Sequence, residues 1–152
     1  MIGAVPAAAQ SLTDSATLNA SINSQARLSL STLSISFPDA DPDTVPAVQG
    51  APGAVTITAK ARTSGNGAVT LTVRATDHLR SGLDTIPASQ ITWTAAGAGF
   101  SGGTLSATTA QIVAAWTGSG VHTGTQTFFF TNLWTYAAGI YTVTMTFTLT
   151  AA

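Results

Sequence analysis

Three aspartates have the type and spacing of metal ligands. Asp39, Asp41 and Asp43 stand at alternate positions in a proline-rich segment that is typical of turns. Carboxylate oxygens so spaced in a loop can converge on Ca²⁺, which takes oxygen ligands. They do not form an EF-hand, because Thr44 stands near the place of its sixth-position glycine and the chain has no glutamate for its twelfth. We predict either a structural calcium ion or aspartates that cap turns, and no cofactor that the protein requires.

Nucleophilic catalysis would need Ser119, in Gly118-Ser-Gly120, to be activated by the nearby His122. A serine triad also needs an aspartate that orients the histidine, and the chain lacks the G-x-S-x-G elbow of α/β-hydrolases. A carboxylate pair would have to come from six aspartates, three of which lie in one loop. We therefore assign no catalytic residue and expect a protein that is not an enzyme.

Two aromatic residues form the third group. Trp134 and Tyr136 lie in Asn132-Leu-Trp-Thr-Tyr136, between two strand-like segments where a loop would expose them. Flat rings complement the apolar faces of sugars, although core packing is the usual role of aromatic residues. The alternatives at these positions are a carbohydrate-stacking site and an ordinary part of the core.

The elements that must position these residues are strands, because apolar and polar residues alternate along almost the whole chain. The clearest alternation has Tyr141, Val143, Met145, Phe147 and Leu149 on one face of the last strand. A second run, residues 55–75, reads as a hairpin that turns at residues 64–67. Residues 38–53, with four prolines, read as a long surface connection.

These patterns predict an all-β fold: a two-sheet antiparallel Greek-key sandwich of seven to nine strands, immunoglobulin-like or pilin-like. Gly139-Ile-Tyr141 has the spacing of a tyrosine corner, and Trp93 or Trp116 is the expected core tryptophan. We expect one domain over residues 10–152, preceded by a leader-like or flexible arm over residues 1–9.

Composition excludes several classes of function. The chain has a net charge of -1, five Lys and Arg residues and no cysteine. Nucleic-acid binding is not expected, because no strong positive field is available for phosphates. Thiol chemistry and disulfides are excluded, and no apolar run is long enough to span a membrane. The leader-like start, with small residues before Gln10, predicts secretion.

Several segments resemble a group of small secreted bacterial proteins of uncharacterised function. The segments that carry this resemblance are Phe37-Pro-Asp-Ala-Asp-Pro42, Ile86-Pro-Ala-Ser-Gln-Ile-Thr-Trp-Thr94, Trp116-Thr-Gly-Ser-Gly120 and residues 136–151. More distantly, the final threonine-alternating strand resembles pilin-like and spore-coat-U-like sandwich domains. The resemblance implies an extracellular surface protein and transfers no catalytic motif.

The first alternating run suggests how such a protein would assemble. Leu18, Ala20 and Ile22 alternate with polar residues in residues 15–24, which could leave their own domain and add to a neighbour's sheet edge as a donor strand. The alternative is that they form the first strand of a self-contained sandwich. We therefore expect a structural or adhesive cell-surface protein, a pilus-like filament subunit that polymerises with itself. The other hypothesis is a secreted monomeric carbohydrate-binding module.

Overall fold

The computed structural model describes residues 13–152, so the predicted leader-like arm, residues 1–9, lies outside the described residues. The described part is built almost entirely from β-strands. Its ten strands are β1 Gln25–Leu30, β2 Ala47–Arg62, β3 Ala68–Ala75, β4 Leu79–Ser81, β5 Asp84–Ile86, β6 Ile91–Ala96, β7 Gly103–Thr104, β8 Gln111–Thr117, β9 Gly120–Thr131 and β10 Met145–Ala151. A short 3-10 turn, Ala88–Gln90, precedes β6. The all-β prediction is confirmed, although the described residues form ten strands rather than the predicted seven to nine.

Two antiparallel sheets enclose the core in a sandwich-like arrangement. The larger sheet has the order β1-β2-β9-β6-β7, and the smaller one has the order β10-β3-β8. A separate two-stranded ribbon joins β4 to β5. Buried side chains from both sheets form one cluster around Phe128, Trp93 and Leu71. Of the two expected core tryptophans, Trp93 is the buried one, and its indole Nε1 donates to the carbonyl oxygen of Ser101 at 3.0 Å.

The prediction of a hairpin over residues 55–75 is wrong about which strands pair, but it is right about which face of each strand is buried. β2 pairs with β1 and β9, whereas β3 pairs with β8 and β10, so the turn between β2 and β3 crosses from one sheet to the other. The inward-facing residues of both strands are nevertheless buried: Val55, Ile57, Ala59, Ala61, Val69, Leu71, Val73 and Ala75. Alternation specifies which face of a strand is buried. It cannot tell a hydrogen-bonded neighbour from a strand packed across the core.

The predicted connection over residues 38–53 is shorter than expected, because β2 already begins at Ala47. Pro52 lies where the pairing of β2 with β9 is interrupted, between Gln49 and Ala54. A proline cannot donate to a ladder, and an interruption of the ladder is where a strand tolerates it. The proline therefore does not end the strand.

In the last strand, polar and apolar residues lie on the faces that their alternation predicts. The hydrogen bond expected of a tyrosine corner is also present. The threonines of β10 are exposed, and its apolar residues are half-buried. Just before β10, the hydroxyl of Tyr141 donates to the carbonyl oxygen of Ala137 at 3.0 Å. This bond spans four residues and fixes the approach of the chain to its final strand.

One flank of the sandwich is open, because the edge strands β1 and β10 lie beside each other there without pairing. The opposite edge strand, β8, is covered: the backbone of residues 99–101 bonds to Val113 and Ala115. Half-buried apolar side chains lie along the open flank, and they are Leu28, Leu30, Met145, Phe147 and Leu149. The core is therefore only partly covered along β1 and β10.

Within residues 13–152, no helix has the length and apolar character needed to cross a membrane.

Candidate functional site

The loop that contains Asp43 and the loop that contains Trp134, which the sequence predicts as two separate sites, lie together on one surface. Trp134 Nε1 donates to Asp43 Oδ1 at 3.0 Å. Asn132 Nδ2 donates to the carbonyl oxygen of Ala40 at 2.9 Å and to that of Val45 at 3.3 Å. The side chain of Asn132 thus holds the backbone of residues 40–45 in place beside Trp134. The one signal for Asn132 in the sequence is its position immediately after the strand-like run ending at Thr131, and that position does not predict this role.

Of the three aspartates, Asp41 is the one whose side chain makes a local hydrogen bond. Asp41 Oδ1 accepts from the backbone N–H of Asp43 at 2.9 Å, and the carbonyl oxygen of Asp41 accepts from the N–H groups of Thr44 and Val45. This is the turn-capping alternative for Asp41. Among residues 13–152, no group of three or more His, Cys, Asp or Glu side chains is placed to hold a metal ion. Asp39, Asp41 and Asp43 are therefore not brought together as calcium ligands.

The two predicted stacking residues have different environments. Trp134 is 69% exposed, so one face of its indole is open to solvent. Tyr136 instead packs against Phe130, with ring centroids 5.7 Å apart, and Phe130 in turn contacts Phe37. Its hydroxyl is buried and has no hydrogen-bond partner among residues 13–152, and burial raises the pKa of that hydroxyl. Of the pair, Trp134 is the residue that can meet a ligand, while Tyr136 belongs to a small aromatic cluster with Phe130 and Phe37.

Ser119 and His122 do not form a hydrogen-bonded pair. Ser119 Oγ accepts from the N–H of Thr63 at 2.9 Å and lies 3.3 Å from the carbonyl oxygen of Thr63, so it ties the β8–β9 turn to the end of β2. His122 lies flat on Trp116, with ring centroids 4.2 Å apart and an angle of 24°. The other histidine, His78, accepts the N–H of Ala88 at its Nδ1 atom. All three side chains hold neighbouring parts of the fold together.

The predicted donor segment is accessible. Every residue from 13 to 24 is exposed, and none of them joins a sheet. Leu18 is 96% exposed and Ile22 is 71% exposed. Residues 15–24 therefore do not form the first strand of the sandwich, the alternative to a donor segment, because the first strand, β1, begins only at Gln25.

The backbone groups on the open flank can be assigned from the bonds that surround them. Ala152 N–H bonds to Ala68, and the Thr144 carbonyl accepts from Thr76, so even-numbered residues of β10 bond to β3. In an antiparallel pair the intervening residues point their N–H and C=O groups away from the partner. The N–H groups of Met145, Phe147 and Leu149 therefore point to the free edge.

Compared with protein-family models and with curated proteins, the chain matches none. The resemblance to secreted surface proteins therefore stays a prediction.

Proposed function

We propose that the protein is a structural or adhesive subunit, secreted to the bacterial cell surface, that polymerises by β-strand addition. Residues 15–24 of one copy would add to the free edge of β10 in the next copy. The observation that carries this proposal is an exposed, alternating apolar segment in a chain whose sandwich has an open flank. Such a head-to-tail contact uses different surfaces on the two copies, so it builds an open filament rather than a closed dimer.

The chemistry of the donor segment supports its role as an added strand. Leu18, Ala20 and Ile22 share one face of an extended chain, and the residues between them are polar or small. Ten residues in β conformation span about 33 Å, which is longer than the seven-residue β10. The segment is therefore long enough to pair with the whole edge and leave a short link to β1.

The acceptor edge offers what an added strand requires. Its outward backbone groups supply hydrogen bonds, and the half-buried Phe147 and Leu149 supply apolar contacts. Strand addition joins main-chain hydrogen bonds with side-chain pockets on alternate residues. Burying a Leu or Ile side chain contributes about 1.5–3 kcal/mol, so Leu18 and Ile22 together contribute about 3–6 kcal/mol before backbone pairing.

The finer class of the fold belongs to the same proposal. We expect the two sheets to be connected as a Greek key of the immunoglobulin-like or pilin-like kind, because that is the class in which strand addition completes a sandwich. The roles of Ser119 and His122 in bracing the fold agree with a protein that is not an enzyme.

The experiment is a comparison of the full chain with the double variant Leu18→Asp/Ile22→Asp, by light scattering and negative-stain electron microscopy. We expect filaments or large oligomers from the unaltered chain and monomers from the variant. The control is Leu33→Asp, because Leu33 is 94% exposed and lies outside the donor segment. Equal assembly by the double variant, or a monomeric unaltered chain, would contradict the proposal.

A second candidate function, a carbohydrate-binding module, is favoured by the Trp134–Asp43 pair. An exposed indole face beside a carboxylate can stack on a sugar ring while the carboxylate accepts hydrogen bonds from its hydroxyl groups. The hydrogen bond to Asp43 also fixes the orientation of the ring before any ligand arrives, which reduces the entropy lost on binding.

This candidate is tested by cosedimentation with insoluble polysaccharides. We expect Trp134→Ala to abolish binding, whereas Leu133→Ala, at an exposed neighbouring position, retains it. Binding that survives Trp134→Ala would place any glycan site elsewhere.

A further inference from the structure

Three of the five cationic residues of the chain lie together on the outer face of the larger sheet. Arg27 on β1 stands directly opposite Lys60 on β2, and Arg62 stands opposite Gln25, one pleat further along. All three cationic side chains are exposed. Directly opposed residues have Cβ atoms about 4.5–5.5 Å apart, and residues two apart on one strand are about 7 Å apart. The three charges therefore share a small area.

No described acid compensates these charges. The ion pair found among residues 13–152 joins Arg80 to Asp77, at the two-stranded ribbon of β4 and β5. Arg27, Lys60 and Arg62 have no side-chain hydrogen bond to the described residues. Like charges directly opposite each other destabilise a strand pair. The fold thus maintains a repulsive arrangement in a chain that has few charges to place.

The three cations also surround a concave surface. A depression of about 410 Å³ is lined by Gln25, Arg27, Lys60, Arg62, Ser119 and Val121. Its position is fixed by the β8–β9 turn, which Ser119 ties to Thr63 at the end of β2. The concavity lets a bound group approach all three cations at once, which a flat sheet face would not allow.

We propose that this depression binds a tetrahedral oxyanion group, a sulfate or a phosphate. Two guanidinium groups can each donate paired hydrogen bonds to such a group, and the lysine adds a point charge. Three charges within one pleat match a single tetrahedral group, whereas a nucleic-acid backbone needs a longer run of contacts. A bound anion would also reduce the repulsion between Arg27 and Lys60. This inference is independent of polymerisation and of the Trp134 surface.

The test is a sulfate titration of the full chain at constant ionic strength, followed by NMR of the backbone amides. We expect saturable shifts at residues 25–27 and 60–62. Lys60→Gln and Arg27→Gln should each weaken binding about tenfold or more, as expected when a charge-assisted hydrogen bond is lost. Arg74→Gln is the matched control, because it removes one exposed cation from the smaller sheet and leaves the depression intact.

A thermal melt separates specific binding from the general stabilisation of proteins by sulfate. We expect sulfate to raise the melting temperature of the unaltered chain and of Arg74→Gln more than that of Lys60→Gln. Without sulfate, Lys60→Gln should melt no lower than Arg74→Gln, because it relieves the repulsion. Equal sulfate responses in both variants, or shifts that never saturate, would overturn the proposal.

The source of the oxyanion is decided by comparing inorganic sulfate, inorganic phosphate and dextran sulfate, with neutral dextran as the blank. Tighter binding of dextran sulfate per sulfate group supports a site for sulfated polysaccharide. Equal binding per group supports a site for the free ion. Binding of neutral dextran that is equal to that of dextran sulfate would overturn the oxyanion site.

Discussion

Two tyrosines near the end of the chain have opposite hydrogen-bonding situations. The hydroxyl of Tyr136 is buried and finds no partner in the described part of the chain, while the hydroxyl of Tyr141 donates to the carbonyl oxygen of Ala137. Removing an unpartnered buried hydroxyl can be neutral or stabilising, whereas removing a donor leaves its acceptor unpaired. At neutral pH we expect Tyr136→Phe to keep or raise the unfolding midpoint and Tyr141→Phe to lower it, in parallel urea titrations. A lower midpoint for Tyr136→Phe would show that its hydroxyl has a partner.

The Tyr136 hydroxyl also makes stability depend on alkaline pH. Burial raises its pKa above the ordinary tyrosine value of about 10. The folded state then binds the proton more tightly than the unfolded chain does, so stability is constant below about pH 10 and falls as pH rises through the raised pKa. We expect Tyr136→Phe to lose less stability than the unaltered chain between pH 9 and 11, in urea unfolding series. Identical losses would contradict this assignment.

Gln126 is a polar residue buried in the core. It is 0% exposed, and neither amide atom has a hydrogen-bond partner within the residues that the structure describes. An unsatisfied buried amide costs about 1–3 kcal/mol, so we expect Gln126→Met to raise the free energy of unfolding by about 1 kcal/mol. Gln49→Met, at an exposed position of β2, is the control and should change little. A loss of stability in Gln126→Met would indicate an internal water that binds the amide.

Residue-level patterns predicted burial well and contacts between distant residues poorly. The inward residues of β2, β3 and β10 follow directly from alternation, because each strand's own periodicity determines its faces. The Trp134–Asp43 bond joins residues 91 positions apart, and no local pattern contains that information. The grouping of Arg27 with Lys60 likewise required the register of β1 on β2.

At the scale of elements, the position of the open flank predicts where a donor strand binds. The chain has no cysteine, so any disulfide in a variant forms between introduced thiols. We expect Ser21→Cys, in the donor segment, to form disulfide-linked oligomers with Thr148→Cys on β10 when the two substitutions are in one chain. Nonreducing gel electrophoresis measures the ladder.

The matched control for this crosslink is Ser21→Cys with Thr117→Cys, because Thr117 is an exposed residue of the opposite edge strand, β8. We expect no ladder from this pair. A ladder of equal strength from both pairs, or from the β8 pair alone, would place the donor elsewhere. Scanning Thr146 and Thr150 in place of Thr148 allows for the register.

The same scale shows where prediction from sequence ends. Alternation in residues 55–61 and 69–75, with a glycine turn between them, is what a hairpin would also show. The two strands pair in different sheets because each has two better-placed neighbours: β9 and β1 for β2, and β8 and β10 for β3. Choosing between these pairings requires the whole set of strands, so topology could not be read from the segment itself.

For the whole molecule, head-to-tail polymerisation predicts chain capping. The Leu18→Asp/Ile22→Asp variant keeps its acceptor edge but cannot donate, so it should stop growth after it accepts a strand. We expect the mean filament length, measured by electron microscopy, to fall as its fraction in a mixture rises. Leu33→Asp should leave the length unchanged. Filaments whose length is insensitive to the double variant would argue for assembly through another surface.

The continuity of residues 13–24 with β1 has a mechanical consequence. A pull on residue 24 along the chain acts on the end of β1, whose six residues pair with β2 from Gln25 opposite Arg62 to Leu30 opposite Ile57. The hydrogen bonds of an antiparallel pair lie perpendicular to the strands, so tension along β1 loads this ladder in shear. Each bond then carries a share of the force, rather than opening one after another as in unzipping. A filament linked through this segment would resist stretching at its joints through the same ladder that holds the first strand in the sheet.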